Sequence, residues 1–244
     1  MSEIKGNNRL SKEALEKYLA NIIGKDDTFC FDCKMCGSCC RKRNEPIVIT
    51  GTDIFYIAKA LGITPLEVTK DYVNWNVGPD SRLPIATLRE RMDGSCVLMR
   101  KSKCMVQSMK PVVCAIFPLG RMLQQGYNAY SYFLQPSVCP GSDSTVEHTL
   151  GEWLSGFNVE ERDRLSIAWT KLFQSASIAM RKNKHLSAND NDLIKGTLLF
   201  TLYVNYPLDQ PFEVSVWCNA QILKRILPKF KMPNMEVDQD EADQ

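Results

Sequence analysis

Five of the ten cysteines lie in one stretch of eleven residues, Cys30-Phe31-Asp32-Cys33-Lys34-Met35-Cys36-Gly37-Ser38-Cys39-Cys40. Packing does not require that density, because a cysteine acts as a small hydrophobe that alanine or valine could replace. The chemistry of sulfur does require it, in metal ligation, in an iron–sulfur cluster or in disulfide bonds. This stretch therefore constrains the fold and function of the chain more than any other feature.

The composition and charge of the chain indicate its class, its partners and its cellular compartment. The chain has 244 residues, of which 44% are hydrophobic and 24% charged, as in an ordinary globular protein. A net charge of +2 favours neither nucleic acid nor an anionic membrane surface as a partner. The polar first residues lack the apolar core of a signal peptide, and no apolar run approaches the ~20 residues of a spanning helix. We expect a cytoplasmic protein. Thiols are kept reduced in the cytoplasm, so a cluster of cysteines there indicates metal binding in preference to disulfide bonds.

Apolar stripes and capping residues predict helices on both sides of the cysteine-rich region. The predicted helices cover residues 11–23, 53–61, a short segment after Thr64, 110–114, 147–154, 158–182, 192–204 and 212–227. Thr52 is the predicted cap of the helix at 53–61, and Thr64 with Glu67 forms a capping box for the next. Asn158 is the predicted cap of the long helix. Short strands are predicted at 46–49, 83–90 and 127–135.

These elements predict an α-rich α+β fold, in which an irregular, metal-crosslinked cysteine region packs against N- and C-terminal helices. The expected organisation is an N-terminal helical segment at 1–29, the cysteine region at 30–141, a helical region at 142–232 and a disordered acidic tail at 233–244. Because no clear linker separates them, we expect one compact domain with a helical extension.

The spacing of the cysteines suggests how they could bind metal. Cys33 and Cys36, followed by Gly37, form a knuckle whose two thiolates can bind one ion while backbone N–H groups turn toward sulfur. Cys39 and Cys40 are adjacent, and two neighbouring side chains seldom both reach one tetrahedral ion easily. Four single cysteines supply the remaining candidate ligands, Cys96, Cys104, Cys114 and Cys139. The eight thiols suffice for two sites of four ligands.

The same residues carry a resemblance to a known family. They form Cys33-x2-Cys36-Gly37-x-Cys39-Cys40, Cys96-x-Leu98 before Cys104, Lys110-Pro111-x2-Cys114-x2-Phe117-Pro118, and Cys139-Pro140-Gly141. This pattern resembles the YkgJ-like cysteine-cluster family of zinc- or iron-chelating proteins. The resemblance implies metal binding through these cysteines, without a defined activity. Flagellin lysine N-methylase, a relative of that family, carries a similar cluster.

The chain departs from the family pattern at two positions. Lys110 precedes Pro111 where the family usually has arginine, and Ala115 follows Cys114 where it usually has arginine. Both changes remove planar, bidentate hydrogen-bond donors. They therefore bear on contacts with an anion or substrate more than on the metal ligands. Cys30 lies outside the family pattern.

The identity of the metal follows less directly from the spacing. Cys30-x2-Cys33-x2-Cys36-x3-Cys40 matches the ligand spacing of ferredoxins, although Arg41 replaces the usual proline and no second run follows. Zinc sites of the paired-knuckle type need two Cys-x2-Cys units, whereas the distal cysteines are single. An all-sulfur ligand set suits either metal. We favour an iron–sulfur cluster over zinc.

Three functions agree with such a centre. The first is an iron–sulfur protein in redox chemistry or in modification of another molecule, and the second is a zinc-stabilised module that binds a protein without catalysis. The third is a lysine-modifying enzyme resembling the flagellin methylase, which would bind S-adenosylmethionine. The sequence lacks phosphate-loop, dinucleotide-turn and serine-elbow motifs. The partner, a protein or a small molecule, and the presence of catalysis stay open.

Three further residues have simpler predicted roles. Cys218 lies on the apolar side of the last predicted helix, which favours a place in the core. His148 and His185 are predicted to lie at the surface, since neither has the spacing of a metal ligand.

Overall fold

The computed structural model describes residues 16, 20–41, 46–135, 139–183 and 188–234 of the chain. Seven helices lie in these ranges, α1 (Gly51–Leu61), α2 (Pro65–Asp71), α3 (Val112–Ala115), α4 (Leu150–Ser155), α5 (Val159–Lys182), α6 (Ala188–Leu199) and α7 (Phe212–Ile226). Short strands connect them, β1 (Ile22–Ile23), β2 (Thr28–Cys30), β3 (Val48–Ile49), β4 (Val73–Val77), β5 (Pro84–Leu88), β6 (Met99–Arg100), β7 (Lys103–Cys104), β8 (Leu119–Leu123), β9 (Tyr130–Leu134) and β10 (Glu147–Thr149). The predicted mixed α+β class is confirmed.

The first two helices begin with complete capping boxes. At α2, Thr64 and Glu67 exchange the predicted hydrogen bonds. At α1 the prediction of Thr52 as the cap is wrong, because Thr50 caps the helix and its hydroxyl accepts a hydrogen bond from the Asp53 N–H. Asp53 in turn accepts from the Thr50 N–H at 2.9 Å. The cap therefore fixes the Asp53 carboxylate at the start of α1.

Small antiparallel sheets support the irregular region. One sheet has the strand order β3-β5-β4, with Trp75 opposite Ala86, and another has the order β1-β9-β8, with Arg121 opposite Tyr132. Two-stranded pairs join β10 to β2 and β6 to β7. The predicted strands near 46–49, 83–90 and 127–135 are confirmed, with shorter bounds.

Some predicted helix bounds are wrong. The prediction at 11–23 lies mostly outside the described residues, and its end forms β1, which pairs with β9. Residues 147–149 form β10 because they pair with β2, so that α4 begins only after Thr149. The helix predicted at 192–204 has α-geometry up to Leu199 and continues as a π-helical turn.

Two other predictions concern the ends of elements. Asn158 occupies the N-cap position of α5, as predicted, but it has a left-handed conformation and its side chain makes no capping hydrogen bond. The tail predicted to be disordered at 233–244 lies outside the described ranges from residue 235 onward, and His185 also lies outside them. None of the described helices is long and apolar enough to span a bilayer.

The core consists of two clusters that join the cysteine-rich region to the helices. In the larger cluster, residues of α1, α2, β4 and β5 pack against α5, α6 and α7, and Cys96 is one of its members. The Trp169 indole N–H donates to the Leu202 carbonyl at 2.6 Å in this core. In the smaller cluster, Phe29 and Phe31 pack against residues of α3 and α4. The segments that carry the cysteines therefore pack against the helices.

We predict opposite effects of alanine at two helical glycines. A β carbon at Gly51 would clash with the Leu202 carbonyl and the Trp169 indole, whereas one at Gly196 would meet no atom of another element. Gly51→Ala should lower the free energy of unfolding by about 1–3 kcal/mol through overpacking. Gly196→Ala should raise it by about 0.5–1 kcal/mol. Denaturant unfolding measures both, and equal effects would contradict the packing described.

Candidate metal centre

All ten cysteines lie in the described residues, and none forms a disulfide. Cys33 and Cys36 are exposed on the irregular segment before the 3₁₀ turn Ser38–Cys40. Gly37 adopts a left-handed conformation with φ 73°, where a β carbon would also crowd the Met99 sulfur at 3.3 Å. The predicted turn after Cys36 therefore does require glycine.

Arg41 connects this knuckle to the β6–β7 hairpin. Its guanidinium donates one hydrogen bond from Nη1 to the Cys36 carbonyl at 3.0 Å and another from Nη2 to the Ser102 hydroxyl at 2.8 Å. Its backbone forms an isolated antiparallel bridge with Ser95. The residue that replaces the ferredoxin proline is thus a structural tie between the two cysteine-bearing segments.

The vicinal pair lies against the distal cysteines. The Sγ atoms of Cys39 and Cys40 are 3.9 Å apart. Two sulfurs bound to one tetrahedral zinc at about 2.3 Å would lie about 3.8 Å apart, so this separation suits a shared ion. The Cys40 carbonyl accepts a hydrogen bond from the Cys96 N–H at 2.8 Å, and Cys104 pairs with Met99 across the β6–β7 hairpin.

Six thiols influence one another's pKa values. A hydrogen bond with Cys39, burial, and the thiolate charges of Cys39, Cys114 and Cys96 raise the pKa of Cys40. Burial and the charges of Cys96 and Cys39 raise the pKa of Cys104. Hydrogen bonds from Ser38 lower the pKa of Cys36, which the charge of Cys39 opposes. We call these residues the six-thiol group: Cys36, Cys39, Cys40, Cys96, Cys104 and Cys114.

Cys139 lies beside the chain that leads into the knuckle. It precedes the 3₁₀ turn Pro140–Asp143, whose Gly141 carbonyl accepts a hydrogen bond from the Asp32 N–H at 3.0 Å. A β carbon on Gly141 would approach the Asp32 carbonyl to 2.5 Å. The close approach brings Cys139 near the segment that carries Cys33.

Two cysteines and one histidine lie apart from this arrangement. Cys30 and Cys218 are exposed, so the prediction of Cys218 in the core is wrong. Its position on α7 faces solvent, as does its neighbour Trp217 in part. His148 is half-buried rather than at the surface, and its Nε2 lies 2.9 Å from the Phe31 carbonyl, which ties β10 to the start of the cysteine run.

The sequence analysis missed a buried ion pair that holds the segment carrying Cys114. Asp53 accepts a hydrogen bond from the Val112 N–H at 3.0 Å, and Arg162 donates from Nη2 to the Lys110 carbonyl at 2.7 Å. The guanidinium and the carboxylate are 3.7 Å apart, and both side chains are 3% exposed. The available signal was the position of Arg162 in the apolar stripe of α5, three residues before Leu165.

The chemistry of these donors fits a soft metal. The six-thiol group offers sulfur ligands, and thiolates select zinc and iron–sulfur clusters. Across the described ranges, no group of three or more cysteine, histidine, aspartate or glutamate side chains is positioned to hold an ion as it stands. Metal binding would therefore require these sulfurs to change position.

Comparison with known proteins identifies the same segment. A family model named CxxCxxCC, a "putative zinc- or iron-chelating domain", matches residues 32–140. The match spans eight of the ten cysteines and leaves out Cys30 and Cys218. No curated protein and no solved structure matches the chain.

We predict a ranking of thiol reactivity in the reduced, metal-free protein. Cys36 is exposed and its pKa is lowered, whereas the pKa values of Cys40 and Cys104 are raised, so iodoacetamide near neutral pH should alkylate Cys36 first. Peptide mass spectrometry over time measures each rate. Ser38→Ala should slow alkylation of Cys36 and leave that of exposed Cys30 unchanged. Faster alkylation of Cys40 than of Cys36 would contradict the arrangement.

Proposed function

We propose that this chain holds a metal centre with thiolate ligands, because residues 32–140 match the family model of a putative zinc- or iron-chelating domain. The ligands proposed are the eight cysteines within the match, Cys33, Cys36, Cys39, Cys40, Cys96, Cys104, Cys114 and Cys139. The observation that carries the proposal is the contact between the vicinal pair and a distal cysteine. The Cys39 and Cys40 sulfurs are 3.9 Å apart, and the Cys96 N–H donates to the Cys40 carbonyl at 2.8 Å. Packing in the core does not account for the exposed members of the six-thiol group, Cys36 and Cys39.

We propose an iron–sulfur cluster as the occupant. A cluster is usually held by four cysteine thiolates, and the spacing Cys30-x2-Cys33-x2-Cys36-x3-Cys40 matches that of ferredoxin ligands. When bound, a cluster would supply electron transfer or ligation of a substrate at an open iron. The chain itself contributes the thiolates, the Arg41 tie and the exposed knuckle, which leaves Cys33 and Cys36 accessible to a partner.

Zinc is the second candidate. The Cys39 and Cys40 sulfurs are 3.9 Å apart, which is close to the sulfur–sulfur distance of about 3.8 Å in a tetrahedral zinc–thiolate site. In this case the centre would stabilise the irregular region, and the protein would bind a partner without catalysis. The preparation would be colourless, and a chelator would destabilise it.

Analysis of metal and acid-labile sulfide distinguishes the two candidates. The full chain should be purified without oxygen, and iron, zinc and sulfide measured together with the visible absorption spectrum. Iron and sulfide in similar amounts, with broad visible absorption, would support the cluster. Zinc without sulfide would overturn the cluster and support the structural role, and the absence of both metals would overturn the proposal itself.

We predict that Cys114→Ser lowers metal content and Cys218→Ser does not. Cys114 belongs to the six-thiol group, whereas Cys218 is exposed on α7 outside the family match. Loss of a ligand should reduce metal affinity at least about 100-fold, which exceeds the usual effect of an outer-shell change. Chelator competition measures the affinity. Equal metal content in both variants would exclude Cys114 as a ligand.

A further inference from the structure

Met35 places a thioether beside a thiol in the cysteine run. The Cys33 Sγ and Met35 Sδ atoms are 3.9 Å apart. From the other side, the Gln107 side chain donates from Nε2 to the same thioether sulfur at 3.8 Å. Gln107 begins the 3₁₀ turn Gln107–Met109, three residues after Cys104. Two contacts, one from each cysteine-bearing segment, therefore define the position of the Met35 sulfur.

Packing does not explain why this methionine lies here. Its side chain is 46% exposed, and its backbone has φ 50°, a left-handed conformation that bulky residues rarely adopt. The sulfur of Met99 also approaches the cysteine run, at Gly37, but Met99 is 7% exposed and belongs to the larger core cluster. Met35 instead presents its sulfur at the surface, where burial does not compensate for its backbone conformation.

The separation of the two sulfurs suits one shared ion. A metal bound to both at about 2.3 Å, the usual length of a metal–thiolate bond, would have a sulfur–metal–sulfur angle of about 116°, close to that of a three-coordinate ion. Structural zinc is held mainly by thiolate and imidazole, and iron–sulfur clusters by thiolates. Cu(I) is soft and accepts thioether as well as thiolate sulfur. A thioether paired with a thiolate therefore favours Cu(I).

We propose that Cys33 and Met35 form a binding site for Cu(I), with the thiolate and the thioether as its ligands. Gln107 is a positioning residue, because it contacts the thioether and not the ion. Cys33 and Met35 are both exposed, so the ion reaches them from solvent without opening the core. The site goes beyond the proposed function and shares Cys33 with it, so Cu(I) and the proposed iron or zinc centre compete for this cysteine.

The chain offers a matched control for each ligand. Cys30 is an exposed thiol three residues before Cys33, and Met92 is an exposed methionine on a different segment. Replacing Cys30 removes the same functional group as replacing Cys33. A difference between the two thiols therefore reports on their location and not on the number of cysteines.

Nuclear magnetic resonance of the reduced full chain, with ¹³C in its methionine methyl groups, tests the site without oxygen present. The Met35 signal is the one absent from Met35→Leu. Cu(I), supplied as its bicinchoninate complex, should shift the Met35 signal and leave that of Met92 unchanged. Added bicinchoninate should reverse the shift, and following it at Met35 gives the affinity of this site even though other thiols also bind copper. Cys33→Ser should weaken that affinity at least about 100-fold, and Cys30→Ser should match the wild type.

The outcomes separate this inference from the proposed function. If the chain bound Cu(I) while the Met35 signal stayed in place, the inference would be wrong and the proposed function would stand. A shift that persisted with equal affinity in Cys33→Ser would also overturn the inference, because Cys33 would then not be a ligand. A shift lost in Cys33→Ser, in a chain that bound neither zinc nor iron, would support the copper site and overturn the proposed function.

Discussion

The hydrogen bond from the Cys96 N–H to the Cys40 carbonyl brings together two parts of the six-thiol group that are distant in the sequence. The Arg41 side chain, which spans from the Cys36 carbonyl to Ser102, reinforces the same junction. The regular elements beside this junction are short, namely the 3₁₀ turn Ser38–Cys40 and the two-residue strands β6 and β7. A metal crosslink would therefore add stability where the backbone ladders are shortest.

The helices contribute the third part of the site through one carboxylate. Asp53 completes the capping box of α1 and also receives the Val112 N–H, so that a helix terminus and the Cys114 segment share an anchor. Arg162 on α5 holds the same segment at the Lys110 carbonyl. The position of Cys114 relative to the other thiols thus depends on the packing of α1 against α5.

Elements that depend on neighbouring residues could be predicted from the sequence, whereas elements that depend on contacts between distant residues could not. The capping box at Thr64 and the apolar stripe of α5 determine their helices through neighbouring residues, and both were predicted. Strand β10 was predicted as helix because its pairing with β2 depends on residues distant in the sequence. The cysteine spacing indicated candidate ligands, whereas the contact of Arg162 with the Lys110 carbonyl depends on how α5 packs and was not predicted.

X-ray absorption spectroscopy of the metal-loaded protein tests the central claim most directly, because it reports the atoms bound to the metal. An all-thiolate centre predicts a first shell of sulfur at about 2.3 Å, without a substantial contribution from nitrogen or oxygen. For a cluster, a second shell of iron would also be present. A first shell dominated by nitrogen or oxygen would contradict the assignment of these cysteines as the ligands.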